Sequence, residues 1–180
     1  MEFQHKPVLF CETMQGLNIR PGCVYIDGTV GGGGHSQGIL ERLAGTGRLL
    51  GIDQDPDALE AAGRRLAGFA NHTLAQGNFS QMKELAQAAG IEAADGVLLD
   101  IGVSSHQLDD QARGFSYHHD APLDMRMSQQ GPTAAELVNC LTKAELTEIL
   151  WRYGEEKNAG RIAQGLYLIN ISEPTSHLRI

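Results

Sequence analysis

Apolar positions along the chain come in short runs that close on acids. Val24-Tyr25-Ile26 ends at Asp27, Leu49-Leu50-Gly51-Ile52 at Asp53, and Val97-Leu98-Leu99 at Asp100. Runs of this length, bounded by turn residues, predict buried strands over Val24–Asp27, Arg48–Asp53 and Gly96–Ile101, with a further strand over His72–Gln76. Helical stretches lie between them. His35 to Leu43 is ended by Gly45-Thr46-Gly47, an Ala-rich helix opened by Asp55-Pro56-Asp57 runs to about Leu66, and Gln81 to Ala89 forms the next. Strand alternating with helix predicts a parallel α/β sheet.

After Gly102 the texture changes. Ser104 to Asp110 and Arg113 to Asp120 are polar and aromatic without a strand period, as in a loop region that carries function. Thr133 to Cys140 and Lys143 to Tyr153 then read as two helices. Thr142 with Glu145 three residues on predicts a capping box at the second.

Composition narrows the reading. The 180 residues are 42% apolar and 20% charged, enough for one compact core and part of a second domain. A formal charge of -8 disfavours binding nucleic acid by general phosphate neutralisation, so any RNA contact must be local. Cys11, Cys23 and Cys140 form no C-x-x-C pair and read as reduced, buried small side chains rather than a zinc site or a disulfide framework. The N-terminal residues lack a signal-peptide pattern and no apolar run has a membrane-spanning length, so a cytoplasmic location is the default expectation.

The candidate chemistry sits at the strand ends. Gly31 to Gly34 follows the first strand, but G-x-G-x-x-G fails there, because Ser36 or Gln37 stands where the third glycine belongs. A pyrophosphate ligand is thereby disfavoured. S-adenosyl-L-methionine carries no phosphate, and its sulfonium, amino-acid end and ribose diol suit a close backbone approach beside Asp27, Asp53 and Asp100. Asp53 is placed to grip a ribose diol, and Asp100 to face the ligand crevice. Phe79 is placed either to pack against adenine or to lie in the core. His106, His118, His119 and Asp120 offer no convincing metal cluster, since adjacent histidines point apart in an extended segment.

These residues carry a likeness. Asp27-Gly28-Thr29 through Gly34-His35-Ser36, Gly51-Ile52-Asp53, Asn78-Phe79-Ser80, Asp100 to Ser105, Gly114-Phe115-Ser116 and Pro122 to Met127 together resemble the bacterial ribosomal RNA small-subunit methyltransferase H family, also called MraW. His5 to Leu9 and Tyr153 to Lys157 extend the likeness to about residue 164. The chain departs from the family at His106, where proline is common, and at Ser128, where an acid is usual.

The resemblance implies a Rossmann-like S-adenosylmethionine-dependent methyltransferase sheet, incomplete at its first four strands, with the start of an inserted helical domain. Residues 1–105 would form the methyltransferase part and 106–164 the start of the substrate-recognition insert. Residues 165–180 would be a foreign tail that reads as translated sequencing adapter. The implied reaction is methylation of the N4 amino group of a cytidine in the decoding region of small-subunit ribosomal RNA, with the small ribosomal subunit as partner. Cofactor contacts map to Gly33, Gly34, His35, Asp53, Phe79, Asp100 and Gln107. Asp100 first, then Asp124, are candidates to accept the amine proton. On the substrate side, Ser104 joins Phe115 and Tyr117, which would stack on an unstacked base, and Arg113 and Arg126, which would meet phosphates.

A strand over Gly96–Ile101 without its further neighbours would be an apolar edge, predicting poor solubility and no turnover for these residues alone. Two other readings stay open. One is part of an NAD-binding oxidoreductase, suggested by the acid that follows the glycine loop and opposed by the failed fingerprint. The other is a non-enzymatic RNA-binding or assembly factor on the same fold.

Overall fold

A computed structural model describes residues 7–172, and the side chains of residues 7–168. The chain divides into two compact units, Met1–Gly102 and Val103–Ile180.

In the first unit the elements run α1 (Phe10–Leu17), β1 (Val24–Asp27), α2 (Gly34–Leu43), β2 (Arg48–Asp53), α3 (Pro56–Leu66), β3 (His72–Gln76), α4 (Met82–Ala88) and β4 (Gly96–Leu98). All neighbouring strands are parallel, in the order β3-β2-β1-β4. This is the Rossmann-like arrangement expected from the strand and helix alternation. Strand order reverses at β1, and in open α/β sheets the crevice at such a reversal, beyond the carboxyl ends of the strands, is where ligands lie.

Alternation along the strands divides the core in two. Tyr25 and Leu49 point to one face, against Met14 of α1, Ile39, Leu40 and Leu43 of α2, and Leu66 of α3. Ile26, Leu50 and Ile52 point to the other, against Ala86 of α4 and Ile91. Every one of these side chains is buried, and each large aliphatic contributes roughly 2 kcal/mol by leaving water.

Two expectations are corrected here. The fourth strand stops at Leu98 instead of Ile101, because its pairing with β1 ends at Asp27↔Leu98; among the described residues β1 is its one neighbour. Val97 within the strand and Leu99 and Ile101 just past it are 46%, 41% and 72% exposed, an apolar edge. The cysteines are free, but Cys11 and Cys140 are exposed and Cys23 is half-buried, so they do not fill the core.

The second unit contains α5 (Ser105–Asp109), a short 3-10 turn at Gln111–Arg113, α6 (Ala134–Cys140), α7 (Lys143–Arg152) and α8 (Ala159–Ser172). Each of α5, α6 and α7 starts with a capping box, Ser104 with Gln107, Thr133 with Glu136 and Thr142 with Glu145, the last as the sequence predicts. Leu146 of α7 and Ala159 and Ala163 of α8 are buried where these helices pack. α8 runs unbroken across Gly165, where the sequence places the start of a foreign tail; residues 173–180 of that tail lie outside the described residues. Among the described residues no helix is long and apolar enough to cross a membrane.

Candidate functional site

The tip of β1 is built around a buried acid. Asp27 is 0% exposed; its Oδ2 accepts from Ser36 Oγ at 2.7 Å and its Oδ1 from the Thr29 amide at 3.2 Å. Burial pushes its pKa up to about 6, against the pull of the Ser36 and Thr29 hydrogen bonds. Thr29 in turn accepts, on Oγ1, the Asp100 amide at 2.7 Å. Asp27, Thr29 and Asp100 thus link the ends of β1 and β4, where the strand order reverses.

Next to it, the glycine turn is fastened to β2. Asp53 Oδ2 accepts from the Gly31 amide at 2.8 Å and Oδ1 from the Asp55 amide at 2.9 Å, while the Val30 amide donates to the Ile52 carbonyl. Burial raises the Asp53 pKa, and the backbone donors Asp55 and Gly31 oppose that rise. Gly33 stands at the N-cap of α2 with φ 78°, and a Cβ there would lie 3.2 Å from the Ala62 Cα. Only glycine takes that conformation without strain. Gly33 brings no side-chain cap to the first turn of α2, whose N–H groups begin at Gly34 and His35. Such a terminus suits a carboxylate.

Phe79 is half-buried at the start of a 3-10 turn whose N-cap Asn78 forms a capping box with Gln81. Asn78 Nδ2 also donates to Gln54 Oε1 at 3.2 Å, which ties Phe79 to the residue after Asp53. A Cβ on Gly28 would lie 3.3 Å from the Phe79 Cβ, so the ring's base sits over the β1 tip. The first unit therefore brings Gly33, Gly34, His35, Asp53, Phe79 and Asp100 to the carboxyl ends of one sheet.

The remaining predicted residues belong to the second unit. Gln107 is buried, and its Oε1 accepts from the Ser104 amide at 3.0 Å while Ser104 Oγ accepts from the Gln107 amide. Phe115 is half-buried, and Tyr117 is 80% exposed with its ring against that of His118. Arg113 is expected from the sequence to meet phosphate. Arg113 is buried and donates through Nη2 to the carbonyls of Arg126 and Met127 at 3.1 and 3.0 Å.

Arg126 is likewise occupied. Its Nε and Nη2 donate to the Asp124 carboxylate at 3.0 and 2.6 Å. That hydrogen bonding lowers the Asp124 pKa. The brace role of Arg113 carried no sequence signal, since its carbonyl partners lie 13 and 14 residues on. The burial of Asp27 had one, an acid closing an apolar run just as Asp53 does. Among the described residues no group of three or more His, Cys, Asp or Glu side chains is gathered as a metal would need.

Comparison with known proteins agrees with the geometry. A family profile described as the MraW methylase family matches residues 2–178, past the point at which the resemblance was read to stop. A ribosomal RNA small subunit methyltransferase H of Symbiobacterium thermophilum is 57% identical over 166 residues, covering 91% of this chain and 52% of the relative. Proteins of the same name from Heliobacterium mobile and Lachnospira eligens are 53% and 49% identical, covering 94% and 97% of this chain and 55% and 56% of the relatives. The chain thus spans about half the length of these relatives. Ordered glycine and acid motifs, the strand order and a match over nearly every residue converge on one conclusion: the chain belongs to the MraW methylase family.

Proposed function

We propose that this chain carries the donor-binding part of an S-adenosyl-L-methionine-dependent methyltransferase that modifies the N4 amino group of a cytidine in the decoding region of small-subunit ribosomal RNA. One observation carries the reading: a helix start without a side-chain cap, two acids at strand tips and a half-buried phenylalanine meet where the sheet order reverses. The names of the relatives supply the ribosomal RNA substrate.

The residues present fit the donor. The first-turn amides of α2 receive the methionine carboxylate. Asp53 is fixed by the Gly31 and Asp55 amides, and a carboxylate with about four lone-pair sites can still accept from a ribose diol. Phe79 lies against adenine. The bound donor supplies an electrophilic methyl group.

Asp100 accepts an N–H hydrogen bond from the cytidine amine, which localises the nitrogen lone pair and aims it at the methyl carbon. With the donor bound, its methyl group would pass from sulfur to the amine nitrogen, leaving S-adenosylhomocysteine, and the Asp100 carboxylate would take the amine proton. Within the second unit, Tyr117 and Phe115 are the aromatic side chains proposed to stack on an RNA base. Residues 1–105 are the donor-binding part and 106–164 begin the substrate part.

The test is tritium transfer from labelled donor to small subunits that lack the modification, using this chain completed with the C-terminal half of the Symbiobacterium thermophilum relative. Label recovered as N4-methylcytidine is expected, and none is expected from this chain alone. RNA retained without any transfer would favour a non-enzymatic binding factor.

A further inference from the structure

His35 lies in the first turn of α2 with its side chain 8% exposed. Its Nε2 is 3.1 Å from the Val8 carbonyl oxygen, which can only accept, so Nε2 carries the ring proton and donates it to that bond. The Phe10 ring stacks on the imidazole, with centroids 6.0 Å apart and planes inclined by 12°, and the Arg42 guanidinium lies 5.7 Å from the Phe10 centroid. Two glycines of α2 make room for this contact. A Cβ on Gly34 would run into Pro7, and one on Gly38 would lie 2.5 Å from Phe10 Cζ. Leu9, at φ 49°, takes the left-handed conformation that turns the chain from Pro7 into α1. Residues 7–10 are thus fastened across the first turns of α2.

The turn beneath them needs anchors. Gly31 to Gly34 carry no side chains, and glycine loses more conformational freedom on folding than any other residue. Asp53 fixes the Gly31 end of this stretch to β2, and Ala62 of α3 lies against Gly33. At the other end, Gly34 and His35 meet the N-terminal segment. We propose that residues 7–10 are a clasp that holds the glycine turn and the first amides of α2 in their donor-receiving arrangement, with Phe10 and the His35 side chain as positioning residues that do not touch the donor. The gain is preorganisation, since order supplied by the clasp is order that the donor does not have to impose. This inference rests on the reading of the α2 start as the place of the donor carboxylate. It assigns the His35 ring to the clasp and leaves the His35 main-chain amide to the donor.

Two amides report on the turn without any donor: Gly33, bonded to the Val30 carbonyl, and Gln37, bonded to the Gly33 carbonyl, both at 2.9 Å. Their hydrogen exchange is compared in the 180-residue chain and its Phe10→Ala, His35→Ala and His35→Gln variants. The two alanine variants exchange about tenfold faster at both amides while β2 keeps its protection. Gln carries an N–H donor about where Nε2 lies, so His35→Gln keeps the Val8 bond and exchanges like the wild type. Unchanged rates in His35→Ala, equal acceleration in β2, or a His35→Gln variant as fast as His35→Ala would overturn the clasp.

Calorimetry with S-adenosylhomocysteine reads the consequence for the donor. His35→Ala binds about fivefold more weakly than the wild type, and His35→Gln binds within about twofold of it. Wild-type affinity in His35→Ala, or equal loss in both variants, would contradict the proposal. Should the wild type not bind at all, the donor-site reading fails while the exchange rates still decide the clasp.

Discussion

Both units hold irregular segments with charged side chains bonded to the main chain, and the two segments that bear on function do so differently, through acids at the strand tips of the first unit and mainly through arginines around residues 124–131 of the second. At the strand tips of the first unit, Asp27 and Asp53 accept from the amides of Thr29, Gly31 and Asp55. In the second unit, Arg113 and Arg126 donate to the carbonyls of Arg126, Met127 and Gly131, and Arg126 also closes on Asp124. The difference lies in what capacity is left. A carboxylate that accepts three backbone hydrogen bonds, from Gly31, Gln54 and Asp55, can still accept about one more, so Asp53 can shape the glycine turn and still meet a ligand. The two arginines brace the main chain unequally: Arg126 donates through Nε, Nη1 and Nη2, whereas Arg113 donates through Nη2 and not through its buried Nε.

The largest expected effect strikes the second unit. Gly114 has φ 67°, and a Cβ on it would lie 2.2 Å from the Pro122 carbonyl oxygen, a backbone atom with no room to yield. Gly114→Ala should destabilise that unit by about 4 kcal/mol. Hydrogen exchange would then show amides of residues 104–131 opening while those of β1 and β2 keep their protection; equal loss in both units would break the separation drawn here.

Asp27 sharpens the other side of the comparison. Its pKa rises on folding from 3.8 to about 6, so between those values the folded state binds more protons than the unfolded state. Stability therefore falls as pH rises through this window, by about 3 kcal/mol in all, and the loss persists above it. Asp27→Asn, which keeps an acceptor for the Thr29 amide, should remove this part of the slope. Urea midpoints of the variant and wild type at about pH 4.5 and about pH 7.5 measure it, and parallel slopes would refute it.

Smaller effects test the braces. Arg113→Lys keeps the charge but loses the planar fork that spans two carbonyls, and should cost about 2 kcal/mol by chemical denaturation. If Arg113 served phosphate instead, the same change would leave stability untouched. Thr142→Ala removes the acceptor for the Glu145 amide and should cost about 1 kcal/mol, visible as early fraying of α7.

The sequence revealed most where one rule decided the outcome. β1, β2 and β3 begin and end where their apolar runs meet acids or turn residues, and the Thr142–Glu145 box follows from three-residue spacing. β4 came out shorter because a strand's length depends on its neighbours, which its own residues do not encode. α1 was not predicted, although Phe10, Met14 and Leu17 keep helical spacing and Met14 is buried; its short length and its left-handed N-cap at Leu9 hid it.

Within the candidate site, the acids and glycines were legible because they interrupt apolar runs. The partners of Arg113, Arg126 and Asp124 were not, since a charged residue in a loop gives no sign of whether it faces solvent, a carbonyl or another charge. Gln107 also has a local role legible in its spacing from Ser104, the capping box of α5.

The central claim is that the glycine turn and the acids at the strand tips bind a methionine-bearing nucleoside. Calorimetric titration of the chain with S-adenosylhomocysteine, beside its Asp53→Ala variant, tests it most directly. Saturable heat with one equivalent in the wild type and at least about tenfold weaker binding in the variant is the predicted result. Heat of equal size and affinity in both, or none in the wild type, would contradict it.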